Sequence, residues 1–291
     1  MSFNVRVEAP AKINIGLRVL PSRKDGYHGI ESVFQRIPFY DILTISYSSV
    51  IGRKCIVDCN KMLLPENNTV ALAYKAFCEL TGFSDSVYVH LEKHIPAGAG
   101  LGGGSSDAAA LVNALEQVHG EILTNVQRKA IAAAVGSDVF FFLDKEAMNQ
   151  GCAVVSGRGE ELNAFSARKD IFFILICPDV HSSTKEAYQL VDAWYGSEWK
   201  WSGLQLASLV EEYVSCVKNW RFINSFEEPL KVRYPEIGTA IKDLQHAGAA
   251  FVQMSGSGSS VYGVFDLSAK ADEAFLMLCK KWKHCYLFAS S

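Results

Sequence analysis

The sequence predicts an α+β fold in two domains. Three observations carry this expectation. Strand-type and helix-type periodicities follow one another without a strict βαβ repeat. The length, 291 residues, suits two domains or one large one. The order of strand, helix and strand also starts afresh beyond about residue 150, so the stretch Gly151–Gly159 is the candidate boundary, dividing the chain into 1–155 and 156–291. With 49% hydrophobic and 20% charged residues the chain is neither disordered nor fibrous. Its formal net charge of −3 offers no broad attraction to a nucleic-acid backbone, so an anionic ligand must be met by a local device.

In chain order, Val5–Ala9, Ile13–Leu20, Ile30–Pro38 and Ile42–Tyr47 read as strands separated by Gly, Asp and Pro punctuation. A helix is expected over Thr69–Thr81, opening after the cap-type pair Asn67-Asn68. Val87–Glu92 alternates as a half-buried strand. A helix follows Ser106, with Ala108, Leu111, Val112 and Leu115 on one face, and an alanine-rich helix covers Lys129–Val135. Beyond residue 150 come strand Ile171–Cys177 and helices near Thr184–Trp194, Leu204–Cys216 and Ile237–His246. Strands Ala250–Met254 and Val261–Phe265 and a helix over Ala269–Trp282 complete the order.

Several features bound the setting. The opening MSFNVRVEAP lacks the apolar core of a signal peptide, and apolar stretches such as Ile171–Pro178 are too short to span a bilayer, so no membrane partner is expected. Eight cysteines are scattered among apolar neighbours without a CxxC pair, which reads as buried thiols and a cytoplasmic, reducing location. His90 and His94 have i, i+4 spacing, but they fall on a strand and its exit, so no metal site is assigned.

The outstanding stretch is Pro96-Ala97-Gly98-Ala99-Gly100-Leu101-Gly102-Gly103-Gly104-Ser105-Ser106. Its glycines remove Cβ atoms from one face, so backbone N–H groups can approach an anion directly. The next helix, expected to begin at Ser105-Ser106-Asp107, points its positive end into the loop. A phosphate site is the physical reading. Gly98, Gly100 and Gly103 satisfy GxGxxG, but the region some 20 residues on is helical and offers no strand-end acid. Gly104 stands where a P-loop needs lysine, and no HRD or DFG follows for a protein kinase. A flexible linker remains the bland alternative. Taken alone, Asp138 is a cap or turn residue after Gly136-Ser137, and Lys12 a surface lysine on an edge strand. Tyr27-His28 reads equally as a turn with one packed ring, and Tyr188 as a core aromatic.

Three segments together give these residues a second reading. APAKINIGLRV (Ala9–Val19), PAGAGLGGGSSDAAA (from Pro96) and MSGSGSSVYGVF (Met254–Phe265) resemble, in order and spacing, the three motifs of the GHMP kinase superfamily. DGYHGIESVFQ (Asp25–Gln35), GSDVFFF (from Gly136) and STKEAY (from Ser183) are similar to segments of the diphosphocytidyl-methylerythritol kinases within it. The resemblance implies an S5-like N-terminal domain, a ferredoxin-like C-terminal domain, and ATP on the Pro96–Ser106 loop with Mg²⁺ accompanying it. It implies a small-molecule substrate carrying a cytidine diphosphate group, phosphorylated on its 2-hydroxyl. Asp138 would take the hydroxyl proton, while Lys12 holds Asp138 ionised and stabilises the moving phosphoryl group. The Ser105 and Ser106 hydroxyls would touch phosphate oxygens or the Mg²⁺. Tyr27 and His28 would bind the cytosine with Tyr188 as the opposing ring, and Asn14 and Thr184 are lesser substrate contacts. Gly256-Ser257-Gly258 would pack as a tight turn against the first glycine loop. Two departures stand out: Ser225 replaces Asp in an N-D-F/L-E segment, and Phe140 replaces the proline after Asp138-Val139. A GHMP kinase for a simpler alcohol, a catalytically silent nucleotide sensor of the same fold, and a nucleotide-dependent oxidoreductase are the competing readings.

Overall fold

The alternation that predicts four short strands at the N-terminus instead builds two long ones. In a computed structural model, which describes residues 4–24, 26–51, 54–120, 123–196 and 203–290 and the backbone alone at 48–51, β1 runs Asn4–Ser22 and β2 His28–Ile51. Asp25 of the DGYH segment lies outside the described residues. Pro10 and Gly16 do not interrupt β1, because the strand is buried on both faces from Ala11 to Leu17 and tertiary packing overrides local punctuation. The later elements are β3 (Cys55–Cys59), α1 (Thr69–Thr81), β4 (Asp85–Glu92), α2 (Gly103–His119), α3 (Asn125–Val135), α4 (Val139–Leu143) and α5 (Lys145–Gln150). They continue with β5 (Gly151–Ser156), β6 (Glu161–Ser166), β7 (Phe172–Ile176), α6 (Thr184–Tyr195), α7 (Leu209–Val214) and α8 (Glu227–Arg233). Last come α9 (Pro235–His246), β8 (Phe251–Met254), β9 (Val261–Phe265), α10 (Ser268–Leu278) and β10 (Cys285–Ala289).

The chain packs as two compact units that are not two halves of the sequence. The first holds the residues up to Ala11, Phe39–Ala97 and Gly102–Asn149; the second holds Lys12–Pro38, Gly98–Leu101 and everything from Gln150 onward. Both long strands therefore contribute to each unit.

In the first unit the distal half of β2 pairs antiparallel with β4, from Ile42↔Glu92 to Tyr47↔Val87. β3 adds to β4 in parallel, Cys55↔Val87 to Cys59↔Leu91. α1, α2, α3 and α4 pack on one another around Phe77, Leu111, Leu115, Ile131 and Phe141, each at most 1% exposed. α1 has the bounds its periodicity predicts: Asn68 Oδ1 accepts from the Ala71 N–H, and Gly82 closes the helix at φ 76°.

In the second unit, Ser32–Gln35 of β2 pair antiparallel with Val155–Cys152 of β5, and β6 continues that sheet. A separate antiparallel sheet has the order β10-β7-β9-β8. Ile174, Ile176, Val261 and Phe265 on one face of it pack with Ala187, Leu230, Ile237, Leu244 and Leu278 from α6, α8, α9 and α10. This strand-and-helix layer carries the ferredoxin-like expectation. The helix expected over Leu204–Cys216 is shorter: a single 3₁₀ turn, Leu206–Ser208, leads into α7, which stops where the Ser215 hydroxyl donates to the Glu212 carbonyl. α10 ends at Leu278 rather than Trp282, whose indole N–H instead donates to Asp243.

Candidate active site

Period-2 geometry puts Lys12, Asn14 and Gly16 on one face of β1. Lys12 is 3% exposed, which overturns the surface-lysine alternative. Its Nζ donates to Asn14 Oδ1 at 2.6 Å and lies 4.4 Å from the Phe34 ring centroid. Asn14 is fully buried; its Nδ2 donates to Ser32 Oγ (3.0 Å), its N–H to Ser255 Oγ (3.1 Å), and its carbonyl accepts from the Tyr262 hydroxyl (3.0 Å). The side-chain amide thus fixes Lys12 from below.

The glycine turn of the second unit lies against the same strand. The Lys12 N–H donates to the Leu101 carbonyl (3.0 Å), Ser260 N–H to Ala99 (3.2 Å) and Ser255 Oγ to Gly100 (2.9 Å). Gly98, Gly100 and Gly102 have φ of 67°, 76° and 70°, values that L side chains rarely adopt. A Cβ on Gly100 would overlap the Ser255 carbonyl, and one on Gly256 would sit 3.0 Å from the Gly100 oxygen. The Gly256-Ser257-Gly258 turn therefore packs on the first glycine loop, as its sequence predicts, and only glycine permits the approach. Thr184 Oγ1 lies 3.1 Å from Ser257 Oγ, and the exposed His181 ring covers Gly98, closing the position its Cβ would need.

Pro96, Ala97 and Gly102–Ser106 belong to the first unit. α2 starts at Gly103, two residues before the expected Ser105, because Gly103 and Gly104 adopt helical rather than left-handed backbone. Ser106 is 1% exposed and its hydroxyl has no hydrogen-bond partner. Beneath this first turn, Lys93 Nζ donates to Asp41 Oδ2 (2.5 Å) and Asp107 Oδ2 (2.9 Å), all three side chains being buried. Burial, only partly offset by Lys93, pushes the Asp107 carboxyl up to about 7. Burial pulls the Lys93 ammonium down, but Asp107 and Asp41 outweigh it and hold it above its ordinary value. Asp138 lies in the turn before α4, as the turn alternative has it, with helical φ and ψ and no side-chain capping bond.

In the second unit Tyr188 lies directly on His28, centroids 5.1 Å apart and planes 19° from parallel. His28 Nδ1 meets the Leu20 carbonyl at 2.7 Å and Nε2 the Asp192 carboxylate at 3.3 Å. Tyr27 is 53% exposed, with the Arg158 guanidinium 3.7 Å over its ring. The aromatic residues expected to flank a base are paired differently: His28 and Tyr188 close on each other, and Tyr27 stacks on an arginine.

The description "GHMP kinases N terminal domain" matches residues 68–146, and "GHMP kinases C terminal" matches 214–284. A 4-diphosphocytidyl-2-C-methyl-D-erythritol kinase of Treponema pallidum is 39% identical over 290 residues, covering 97% of both chains. One from Chlorobium limicola is 36% identical, covering 94% of this chain and 93% of its own. The chain belongs to the 4-diphosphocytidyl-2-C-methyl-D-erythritol kinase family. A crystal structure of 4-(cytidine 5'-diphospho)-2C-methyl-D-erythritol kinase superposes with a TM-score of 0.77 at 29% identity, covering 98% of each chain. A homoserine kinase from Cytophaga hutchinsonii, at 18% identity and TM-score 0.73, shares the GHMP kinase fold.

Within this family the two departures are accommodated by the fold. Ser225 is 1% exposed; its N–H donates to the Leu17 carbonyl (2.8 Å) and its Oγ accepts from the Val19 N–H (3.0 Å), so it braces β1. Phe140 occupies the first turn of α4, where a backbone N–H has no partner four residues back, so losing or keeping a proline there changes no helix bond. Sequence reasoning assigned no role to His181, Ser255, Asn224 or the Lys93–Asp41–Asp107 network. Asp41 interrupts an apolar pattern within β2, and Lys93 follows the inward alternation of Val87, Val89 and Leu91 just past the end of β4, which are usable signals; nothing local marks His181.

Proposed function

We infer that this protein is an ATP-dependent kinase that phosphorylates the 2-hydroxyl of 4-diphosphocytidyl-2-C-methyl-D-erythritol, a step of the methylerythritol phosphate route to isoprenoid precursors. The observation that carries the inference is the 39% identity to a kinase of that name over 97% of both chains. Phosphoryl transfer asks a protein mainly for positioning and charge stabilisation. The Pro96–Ser106 loop supplies backbone N–H groups for the ATP phosphates, with the N-terminus of α2 behind them. Lys12 stabilises charge on the transferring group, its position set by Asn14. Asp138 takes the proton from the substrate hydroxyl. The cytidine end is recognised by Tyr27, His28 and Tyr188, with Thr184 and Asn14 as further substrate contacts.

The unpartnered, buried Ser106 hydroxyl fits an oxygen-seeking ligand brought by ATP, and Mg²⁺ held by ATP phosphates is such a group. Bound there, Mg²⁺ would neutralise phosphate charge. A reducing, cytoplasmic setting is part of this reading; of the cysteines expected to be buried, Cys78, Cys152 and Cys177 are, whereas Cys216 and Cys279 are exposed. A division at 155/156 keeps each family match within one segment. Incubation with ATP, Mg²⁺ and the cytidyl substrate, followed by phosphorus NMR, tests the inference: a new phosphomonoester should appear with one ADP. Efficient phosphorylation of homoserine or mevalonate, with the cytidyl compound untouched, would overturn the substrate while leaving a GHMP kinase.

A further inference from the structure

Through its side chain and backbone, one buried asparagine reaches the parts of the three glycine-containing motifs that lie in the second unit, directly or through one residue. Asn224 is 6% exposed, and its Nδ2 donates to the Met254 and Gly256 carbonyls, each at 2.8 Å. Both amide hydrogens are therefore spent on the backbone of the third motif. Its Oδ1 accepts from the Phe226 N–H (2.9 Å), which locks the amide orientation so that the donors face 254 and 256. Its own backbone forms a parallel bridge with Leu17, flanked by Leu17 N–H to Ile223 (2.8 Å) and Ser225 N–H to Leu17 (2.8 Å). The segment is thus fixed to β1 a few residues beyond Lys12. Glu227, three residues on, accepts the Met254 N–H (2.9 Å).

The held backbone is the part that reaches the functional groups. Ser255, between the two carbonyls, donates to Gly100 and accepts from the Asn14 N–H. Gly256, at φ 58°, brings its Cβ position within 3.2 Å of Asn14 Oδ1, the atom that receives the Lys12 ammonium. A shift at 254–256 reaches the Gly100 turn and Asn14, and through Asn14 the Lys12 ammonium, because Ser255 Oγ is hydrogen-bonded to both.

We propose that Asn224 is a positioning residue for phosphoryl transfer: its two amide N–H groups hold the 254–256 turn, which sets the register of Lys12 and of the Gly100 turn. The proposal rests on the kinase reading and on Lys12 carrying part of the chemistry. Loss of the donors lowers kcat without removing any group that touches a reactant.

The test compares Asn224→Asp with Asn224→Ala, each alone and with Lys12→Ala, by steady-state kinetics on the cytidyl substrate and by nucleotide titration. Asp keeps the volume but places carboxylate oxygens against two carbonyls, so it should lose at least as much kcat as Ala, roughly tenfold or more. A side chain that only fills space gives the opposite order, with Asp near the parent. In the double variants kcat should stay within about threefold of Lys12→Ala alone, because both changes disable one device. Losses that multiply, or an Asn224→Asp enzyme at the parent rate, overturn the positioning role. A Lys12→Ala enzyme at the parent rate instead overturns the chemistry assigned to Lys12, so the two failures are distinguishable. If the Asn224 variants do not fold, Glu227→Ala, which removes the acceptor for the Met254 N–H, carries the same comparison with Lys12→Ala.

Discussion

At Lys12 a charge that would ordinarily sit in water is enclosed, and its surroundings define what it can do. The Asn14 side-chain oxygen and the face of Phe34 are among the groups that hold the buried ammonium in place. On the proposed mechanism this fixed ammonium stabilises charge on the transferring phosphoryl group. Lys12→Ala should therefore lower kcat on the order of 10²-fold while leaving the unfolding midpoint close to the parent's. Asp138→Asn keeps the side-chain volume and removes the base, and should lower kcat by about 10²-fold or more in the same assay. Turnover near the parent rate in both variants would remove these residues from the mechanism. Neither residue is eloquent by itself in the sequence: a lysine after Pro-Ala and an aspartate after Gly-Ser have ordinary structural explanations. Their weight comes from the motifs around them, and the burial of Lys12 is information that only the fold supplies.

At the scale of elements, α2 and α6 show how helix starts are supported. The first turn of α2 stands over the Lys93–Asp41–Asp107 network, and the Asp107 carboxyl is raised from 3.8 to about 7 by burial. A folded pKa above the unfolded one means that the native protein holds that proton more tightly. Stability from this group is complete below about pH 4, falls as pH rises toward 7, and is flat above. Asp107→Asn keeps an oxygen for Lys93 and has no proton to lose. The stability of the variant relative to the parent should therefore rise between pH 4 and 7 and then level off, as read by urea unfolding at several pH values. A difference that is constant with pH would contradict the assignment. On α6, Tyr188 stacks on His28 of β2. Tyr188→Ala should raise KM for the cytidyl substrate by an amount equivalent to about 1–3 kcal/mol of lost stacking, with ATP affinity little changed. Equal losses for both ligands would mean that the ring supports the fold rather than the base.

At the scale of the whole molecule, ligand binding and stability are one balance. Free ATP at 100 times its Kd should stabilise the protein by about 2.7 kcal/mol, measured as a concentration-dependent rise in Tm. Gly100→Ala places a Cβ against the Ser255 carbonyl at φ 76°, so it should weaken that response, whereas Gly120→Ala, with φ 71° but open space around it, should cost stability and leave the response intact. An unchanged ATP response in Gly100→Ala would detach the loop from nucleotide. Much of this was legible in the chain. α1 over Thr69–Thr81 and β9 over Val261–Phe265 have the bounds their patterns predict, and five glycines close together announce an anion loop, because periodicity and φ freedom are local properties. The continuous β1 and β2 were not legible, nor were β3, β5, β6 and β10, since burial on two faces and pairing across the chain decide them. The division into units that exchange residues 12–38 and 98–101 was equally hidden. The sequence by itself determined the family and the presence of the glycine loop, and it nominated the candidate reacting groups, all carried by residues adjacent in the chain. The tertiary structure alone decided that Asn14 steadies Lys12 and that Asn224 holds the turn beneath Gly100. Those bonds join residues that lie apart in sequence, Asn14 to Ser255 across 241 positions, and only the packed fold brings such groups within hydrogen-bonding distance.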